Sequence, residues 1–476
     1  MNNLFTEFTD LSLEEWQKAF EKSLKGQAVE PYLSTEIIEG IKLSPYINQE
    51  NSKFQKVLSD IQPADFPYTR GKKYSSNTWN DVAFYDVNDP KAVNKKILKD
   101  LEEGFATLEI KADEVDSGQK FFNLLLHDIN PNYLRINFKV KSLQSFCRSL
   151  EEYYKVKEHD LSTLKGILYN DLFENTLQRG SWKISKNQDT KYFFDVFKLN
   201  QNLLSSYKSL LLKTDILHNS GLNIVNQLAF TLSQLAYVIE NAEQYDVDKS
   251  KLIKKIALSF SVGTNFIPEI AKIKALKYLW VKVLEANNIS KTDIQTPYFR
   301  ANTSLRYLAK KDIYNNIIRG SIQAMSASLA GVDEIYVTPF DANSRKKSAL
   351  GNRLSINTSR ILAEETYFDK VVDPLSGSYY IDTLTHDLIE KAWDKFCEIE
   401  EKGGFVKMME SGALAEIVQK DNEKELALIN DKKVKMIGVN IHLNAEDKFS
   451  NLYEKEEESN FVSKTSFPPI KNTIID

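Results

Sequence analysis

An α/β protein, most simply a (β/α)8 barrel, is the fold class that this sequence predicts. Three observations lead there. Short β-rich runs alternate with longer amphipathic segments from about residue 100 onward. Eight such units fit into about 290 residues, the length that eight strand–helix repeats require. The composition, 42% hydrophobic and 27% charged over 476 residues, is that of a globular protein able to bury a large core. A doubly wound open sheet is the alternative architecture.

The elements follow in order. Leu13, Trp16, Phe20 and Leu24 share one face of a helix over 12–25, outside the alternating region. We treat 1–65 as an N-terminal helical arm, with Trp16 as a candidate contact to another subunit. The β-like runs are 106–110, 134–140, 166–169, 209–214, 256–262, 296–302, 334–339 and 370–373. Amphipathic segments such as 222–241 and 267–286 separate them. The barrel is assigned to 66–440, and 441–476 to a tail without strand–helix alternation.

Lys and Arg total 62 against 66 Asp and Glu, a net charge of −4, so no basic excess points to nucleic acid. Two cysteines, Cys147 and Cys397, are too few for a disulfide framework or a thiolate metal site. The N-terminus lacks a basic stretch followed by an apolar block, and no run reaches the ~18 apolar residues that span a bilayer. A cytoplasmic protein without membrane or nucleic-acid partners is the expectation.

No phosphate loop, HExxH, CxxC or GxSxG motif occurs, and His127, His159, His218, His386 and His442 stand alone. Two clusters stand out. Glu364 and Glu365 are adjacent carboxylates that a helix would point about 100° apart. Asp373-Pro374-Leu375-Ser376-Gly377-Ser378 combines a fixed φ, a permissive glycine and hydroxyls. It reads equally as a phosphate-binding turn or as a rigid corner.

The run RLSINTSRILAEETYFDKVVDPLSGS from Arg353 resembles the signature of the adenosylcobalamin-dependent methylmalonyl-CoA mutase family. Asn357, Thr358, Ile361, Leu362, Glu364, Glu365, Lys370, Asp373, Pro374, Gly377 and Ser378 match it. FPYTRG at 66–71, NFIPEIAKIKALKYLW at 265–280, DIYNNIIRGSIQAMSASLAGV at 312–332 and IGVN at 437–440 resemble further family blocks in the same order. The resemblance implies a (β/α)8 barrel. In active members the barrel works with a flavodoxin-like domain whose D-x-H-x-x-G histidine ligates cobalt.

Several matching positions carry other chemistry here. The family's radical-forming Tyr corresponds to Phe84 and its neighbouring Arg to Val82. Ile216 stands where S-G-Y-H has its His, and an isoleucine cannot donate to a thioester oxygen. Arg300 to Leu305 replace H-C-Q-T-S-G. Lys274 and Lys277 stand where the family favours Arg on a CoA-facing helix, which keeps charge but loses the bidentate fork. His442 lacks the Asp and Gly of the cobalt motif, and 34 residues follow it, too few for the flavodoxin-like domain.

The resemblance therefore implies the small, non-catalytic subunit of the heterodimeric enzyme. Such a chain has no catalytic residue, cofactor or metal of its own, with adenosylcobalamin carried by a homologous catalytic large subunit. The matched signature residues are then structural, and Lys274 and Lys277 are candidate residual CoA contacts. The alternatives are a catalytic barrel chain served by a separate cobalamin-binding subunit, or a CoA-thioester-binding module using Lys274, Lys277 and Arg300.

Overall fold

The computed structural model describes residues 12–27, 35–37, 39–48, 51–53, 61–113, 118–202, 204–344, 348–445 and 465–475. Parts of the expected N-terminal arm and of the expected tail, including 446–464, lie outside these. The chain starts with the helix Leu13–Ser23, entered through a capping box. The Ser12 hydroxyl accepts the Glu15 N–H (3.2 Å), and the Glu15 carboxylate accepts the Ser12 N–H (2.9 Å). Trp16 stacks on Phe20 and on Tyr46, and no residue of this helix is buried. Strands β1 (Thr35–Glu36) and β2 (Lys42–Leu43) form a small antiparallel ladder.

All the remaining strand pairing is parallel. Strands β3 (Asn80–Asp81), β10 (Glu334–Tyr336), β9 (Tyr298–Thr303), β8 (Ile256–Val262) and β7 (Leu210–Lys213) lie side by side in that order. A second sheet holds β4 (Ala83–Asp86), β5 (Thr107–Lys111) and β6 (Arg135–Lys139). Because parallel neighbours need long crossovers, helices separate the strands: Pro90–Glu102, Leu143–Val156, Lys186–Asn202, Ile224–Ala242, Phe266–Ala286 and Asn315–Leu329. Strand β8 is buried along its whole length, the pattern of a strand covered on both faces.

The expected closed eight-stranded barrel is thus present as a parallel α/β arrangement in two sheets, not as one continuous closed ladder. One break falls at Val82, between β3 and β4. The other falls at the 166–169 run, which makes isolated parallel bridges to Phe138 and Lys208 instead of a full strand. Gly166 permits that approach, since a Cβ there would lie 1.9 Å from the Ile136 carbonyl oxygen.

The expected strand at 370–373 is a turn. Asp373 has φ +46°, and its carboxylate is held by cations from two other parts of the chain. The segment 80–86, not read as β from the sequence, pairs instead with β10 on one side and β5 on the other. Its acids at both ends obscure the alternation of Val82, Ala83 and Tyr85, which are buried.

Two apolar clusters flank the sheets. One gathers Trp280, Phe193, Phe194, Phe230 and Leu279 under the helices Ile224–Ala242 and Phe266–Ala286. The other packs Phe122, Phe138, Phe146, Tyr154 and Leu150 beneath β4–β6. Each fully buried large side chain contributes about 1.5–3 kcal/mol, so these clusters dominate the stability of the fold. No helix among the described residues is long and apolar enough to cross a membrane.

Candidate functional site

Strand register brings a set of polar side chains to one level inside the sheets. Phe84 is opposite Glu109, and Glu109 is opposite Asn137. Arg300 lies between Ser259 and Glu334 in the same way. The Arg300 guanidinium pairs with Glu109 and, at 2.9 Å, with Glu334, and it lies near the rings of Tyr169 and Tyr336. Glu334 also accepts from the Asn137 amide (3.1 Å) and the Tyr298 hydroxyl (3.1 Å). Burial opposes the charge on Arg300, but Glu109, Tyr169 and Glu334 outweigh it and hold the guanidinium protonated.

The network continues toward the strand ends. Asn302 links Arg300 (3.1 Å) to Asp215 (2.7 Å), and Asp215 accepts from Ser259 (2.6 Å) and Ser261 (2.9 Å). Ser304 meets Nε2 of His218 at 2.9 Å, and Nδ1 of His218 lies 3.3 Å from Gln227. Burial, with Lys272 and Arg306 nearby, pushes this imidazole well below its usual range, so it is neutral. Side chains bonded to one another fill this level of the sheets. Ile216 faces away into the apolar core, and Phe84 is half-buried on β4.

The signature residues meet elsewhere. Asp373 binds Lys274 Nζ through both oxygens (2.9 and 3.0 Å) and Arg70 Nε at 3.2 Å. The motifs FPYTRG, NFIPEIAKIKALKYLW and DPLSGS therefore converge on one carboxylate. Lys277 donates to the carbonyl oxygens of Ala330 (2.5 Å) and Gly331 (3.4 Å), and burial brings its amine down to about 7. Gly377 has φ +84°, and Ser378 caps the helix Tyr379–Glu401 by accepting from Ile381 N–H.

Pro374, next to Asp373, is exposed, and Lys370 is exposed beside its partner Asp369 (2.7 Å). Asn357 and Thr358 lie half-buried on the helix Ala349–Glu364, where Thr358 donates to the Leu354 carbonyl. Glu364 and Glu365 are both exposed at that helix's end. The Asp373 stretch thus forms a corner, with both of its neighbouring amines engaged by internal acceptors.

A feature that the sequence reading missed lies at the carboxyl ends of β5, β6 and β7. A cleft of about 460 Å³ is lined by Asp113, Lys139, Tyr169, Asp171, Glu174 and Lys213, among others. Asp171 accepts from the backbone N–H groups of Phe173, Glu174 and Lys213, and Glu174 pairs with Lys213 Nζ at 2.5 Å. Burial and the nearby Glu174 push the Asp171 carboxyl up to about 7. The signal was Asp171 and Glu174 in the segment directly after the β-like run 166–169, where ligand sites of parallel sheets form.

His442, the position nearest to a cobalt ligand, is exposed with φ +48°. Asn440, two residues before it, is occupied in holding the chain. It accepts from Met436 N–H and donates to the carbonyls of Ile429 and Val434, all at 2.7 Å. Among the described residues no carboxylate pairs with the imidazole, and Asn440 stands where the family motif has its Asp, so the described residues here do not fit a cobalamin lower ligand.

Parallel strands, intervening helices and a cleft at the strands' carboxyl ends define a parallel α/β protein. Comparison with known proteins makes this specific. The family profile described as methylmalonyl-CoA mutase matches residues 114–466, and the chain belongs to that family. It is 28% identical to the methylmalonyl-CoA mutase small subunit of Porphyromonas gingivalis over 441 residues, covering 92% of this chain and 70% of the relative. Against a methylmalonyl-CoA mutase of Cereibacter sphaeroides identity is 25%, covering 90% of this chain and 64% of that protein. The large subunit of P. gingivalis is 25% identical over 59% of this chain and 39% of its own length. The chain thus spans about two thirds of the length of the first two relatives.

Proposed function

We propose that this chain is the small, non-catalytic subunit of a methylmalonyl-CoA mutase. Its partner is a homologous large subunit that carries adenosylcobalamin and interconverts (R)-methylmalonyl-CoA and succinyl-CoA, in the cytoplasm. The observation that carries the reading is the closed polar layer around Arg300. Glu109 and Glu334 hold its guanidinium, and Tyr298 and Asn137 donate to Glu334, so these donors are engaged internally and do not face an incoming thioester. Ile216 in the apolar core and Phe84 without a hydroxyl support it further. The same reading takes the two sheets as arcs of one (β/α)8 barrel over 66–440. It takes the helix Leu13–Ser23, which presents Trp16 without burying any residue, as the arm that reaches the partner.

The test is co-expression with a large-subunit relative and purification through a tag on this chain. A stable one-to-one complex is expected, with cobalamin-dependent mutase activity. Activity from this chain mixed only with an isolated cobalamin-binding domain would overturn the reading. The cleft at Asp171 favours one second reading, a CoA-thioester-binding module. Thermal stabilisation of the isolated chain by CoA esters would support that reading in place of the first.

A further inference from the structure

The strand ends carry a second feature besides the cleft. Residues 465–475 run across three strand-end segments there, without helix or strand of their own. The N–H groups of Ser466 and Phe467 donate to the Gly180 carbonyl (2.9 and 3.0 Å), and that of Ile470 to Leu177 (2.8 Å). Thr473 N–H donates to Asn219 (2.7 Å) and Ile475 N–H to Arg306 (3.0 Å). These acceptors sit in the segments following the 166–169 run, β7 and β9: Leu177 and Gly180 on and just after the helix Glu174–Arg179, Asn219 at the end of the helix Asp215–Asn219, and Arg306 after β9. The segment thus ties together three strand ends that are far apart in sequence.

We propose that residues 465–475 form a displaceable strap, seated in a groove that accepts an extended apolar peptide, and that its docking sets the outer wall of the cleft. The groove is shaped for this occupant. Gly180 has φ +65°, and a Cβ there would lie 2.5 Å from the Phe467 carbonyl oxygen and 3.2 Å from Pro469. Gly412 offers the same flat surface to Pro468. Phe467 and Ile470 enter the main apolar cluster, and Ile475 joins Ala309, Ile429, Met436 and Val439.

Three features make the strap separable from the rest. Arg306 takes the Thr473 hydroxyl, yet its charge is met by Glu425 (2.9 and 2.7 Å) and Asn422 (2.7 Å), so release leaves no unpaired buried charge. Three apolar side chains and five main-chain hydrogen bonds stand against the ordering of eleven residues, terms of similar size. Pro468 and Pro469 pre-set the extended form, which lets the strap dock again readily. On release, the helix Glu174–Arg179 and Gly180 after it lose their hydrogen bonds to the strap, while Glu174 keeps its pair with Lys213. That helix supplies Glu174, Asn175, Thr176 and Arg179 to the cleft. The inference stands whether or not the chain is catalytically silent.

The experiment uses a chain ending at Lys464 and a labelled synthetic peptide of residues 465–476. Fluorescence anisotropy should show the peptide binding this shortened chain at least ten-fold more tightly than it binds the full chain. A peptide carrying Phe467→Ala and Ile470→Ala should bind at least ten-fold more weakly. The proposal is overturned if the folded shortened chain binds neither peptide, binds both alike, or binds no better than the full chain. Hydrogen exchange on the full chain decides even where the shortened chain does not fold. The amides of Phe467, Ile470, Thr473 and Ile475 should then exchange together, at least ten-fold faster than those of β8. Exchange no faster than β8 makes the segment part of the global fold and overturns the strap.

Discussion

Two polar regions of this molecule are built from the same residue types and end in opposite states. Around Arg300, one guanidinium, two carboxylates, an amide and a phenol complete one another within a fully buried layer. Around Asp171, carboxylates and amines line an open cleft: Glu174 pairs with Lys213, and Lys139, Lys141 and Lys183 stand on its wall with no ion pair among the described residues. A buried charge is tolerable when every partner is present, and such a set then acts as part of the core. Where pairing is incomplete and solvent enters, the same groups keep the capacity to bind. The charge content of a region therefore says little about its role until its partners are known.

The largest expected effect tests the closed layer. Glu334→Ala leaves Arg300 buried with one carboxylate fewer and frees Tyr298 and Asn137. It should cost about 3–5 kcal/mol in urea unfolding. A loss below about 1 kcal/mol would mean that water enters the layer, and the contrast with the cleft would disappear.

Next comes the corner. Asp373→Ala removes the common partner of Lys274 and Arg70 and should cost about 1.5–3 kcal/mol. Asp373→Asn should recover only part, because it restores hydrogen-bond acceptance without the charge. If CoA esters bound the Asp373→Ala chain more tightly than wild type, the freed Lys274 would be a CoA contact after all.

A smaller effect is carried by pH. Asp171 binds its proton more tightly in the fold, with a value of about 7, than in the unfolded chain, where an aspartate titrates at about 4. The folded state thus holds the extra proton between those values. This contribution is fully present below about pH 4 and is lost as pH rises through about 7. Glu39, pushed up to about 7 by burial, and Asp382, pushed up to about 6, slope the same way. Asp171→Asn should flatten part of the decline measured by urea titration across that window. An unchanged slope would show that its backbone N–H partners keep the carboxylate ionised.

The smallest effect on the isolated chain concerns the N-terminal helix. Trp16→Ala removes stacking on Phe20 and Tyr46 at an exposed site and should change stability by no more than about 0.5 kcal/mol. The same substitution should weaken co-purification with a large subunit. Equal recovery of the complex would remove the arm from the proposed interface.

Much of the fold was legible because periodicity is local. The runs at 256–262 and 334–339 lie on β8 and β10, and the segment 267–286 lies within Phe266–Ala286. What failed, failed for identifiable reasons. The 370–373 run looked like a strand because Val371 and Val372 are adjacent, but the positive φ of Asp373 ends any extension. The segment 80–86 escaped because acids frame its short apolar alternation. The cleft escaped because its residues come from loops after three different strand positions and from the helices behind them, and no one window of sequence contains it.

By itself, the sequence determined the alternation of strand and helix, the family-like motifs, and the apolar identity of Phe84 and Ile216. These are properties of residue type and spacing, which the chain carries whatever its shape. Tertiary structure alone decided which charges meet. Asp373 lies 303 residues from Arg70 and 99 from Lys274, and Arg300 needs Glu109 and Glu334 from other strands to be tolerable when buried. Ion pairing falls off within a few ångströms, so the role of a charged residue is fixed by its neighbours in space.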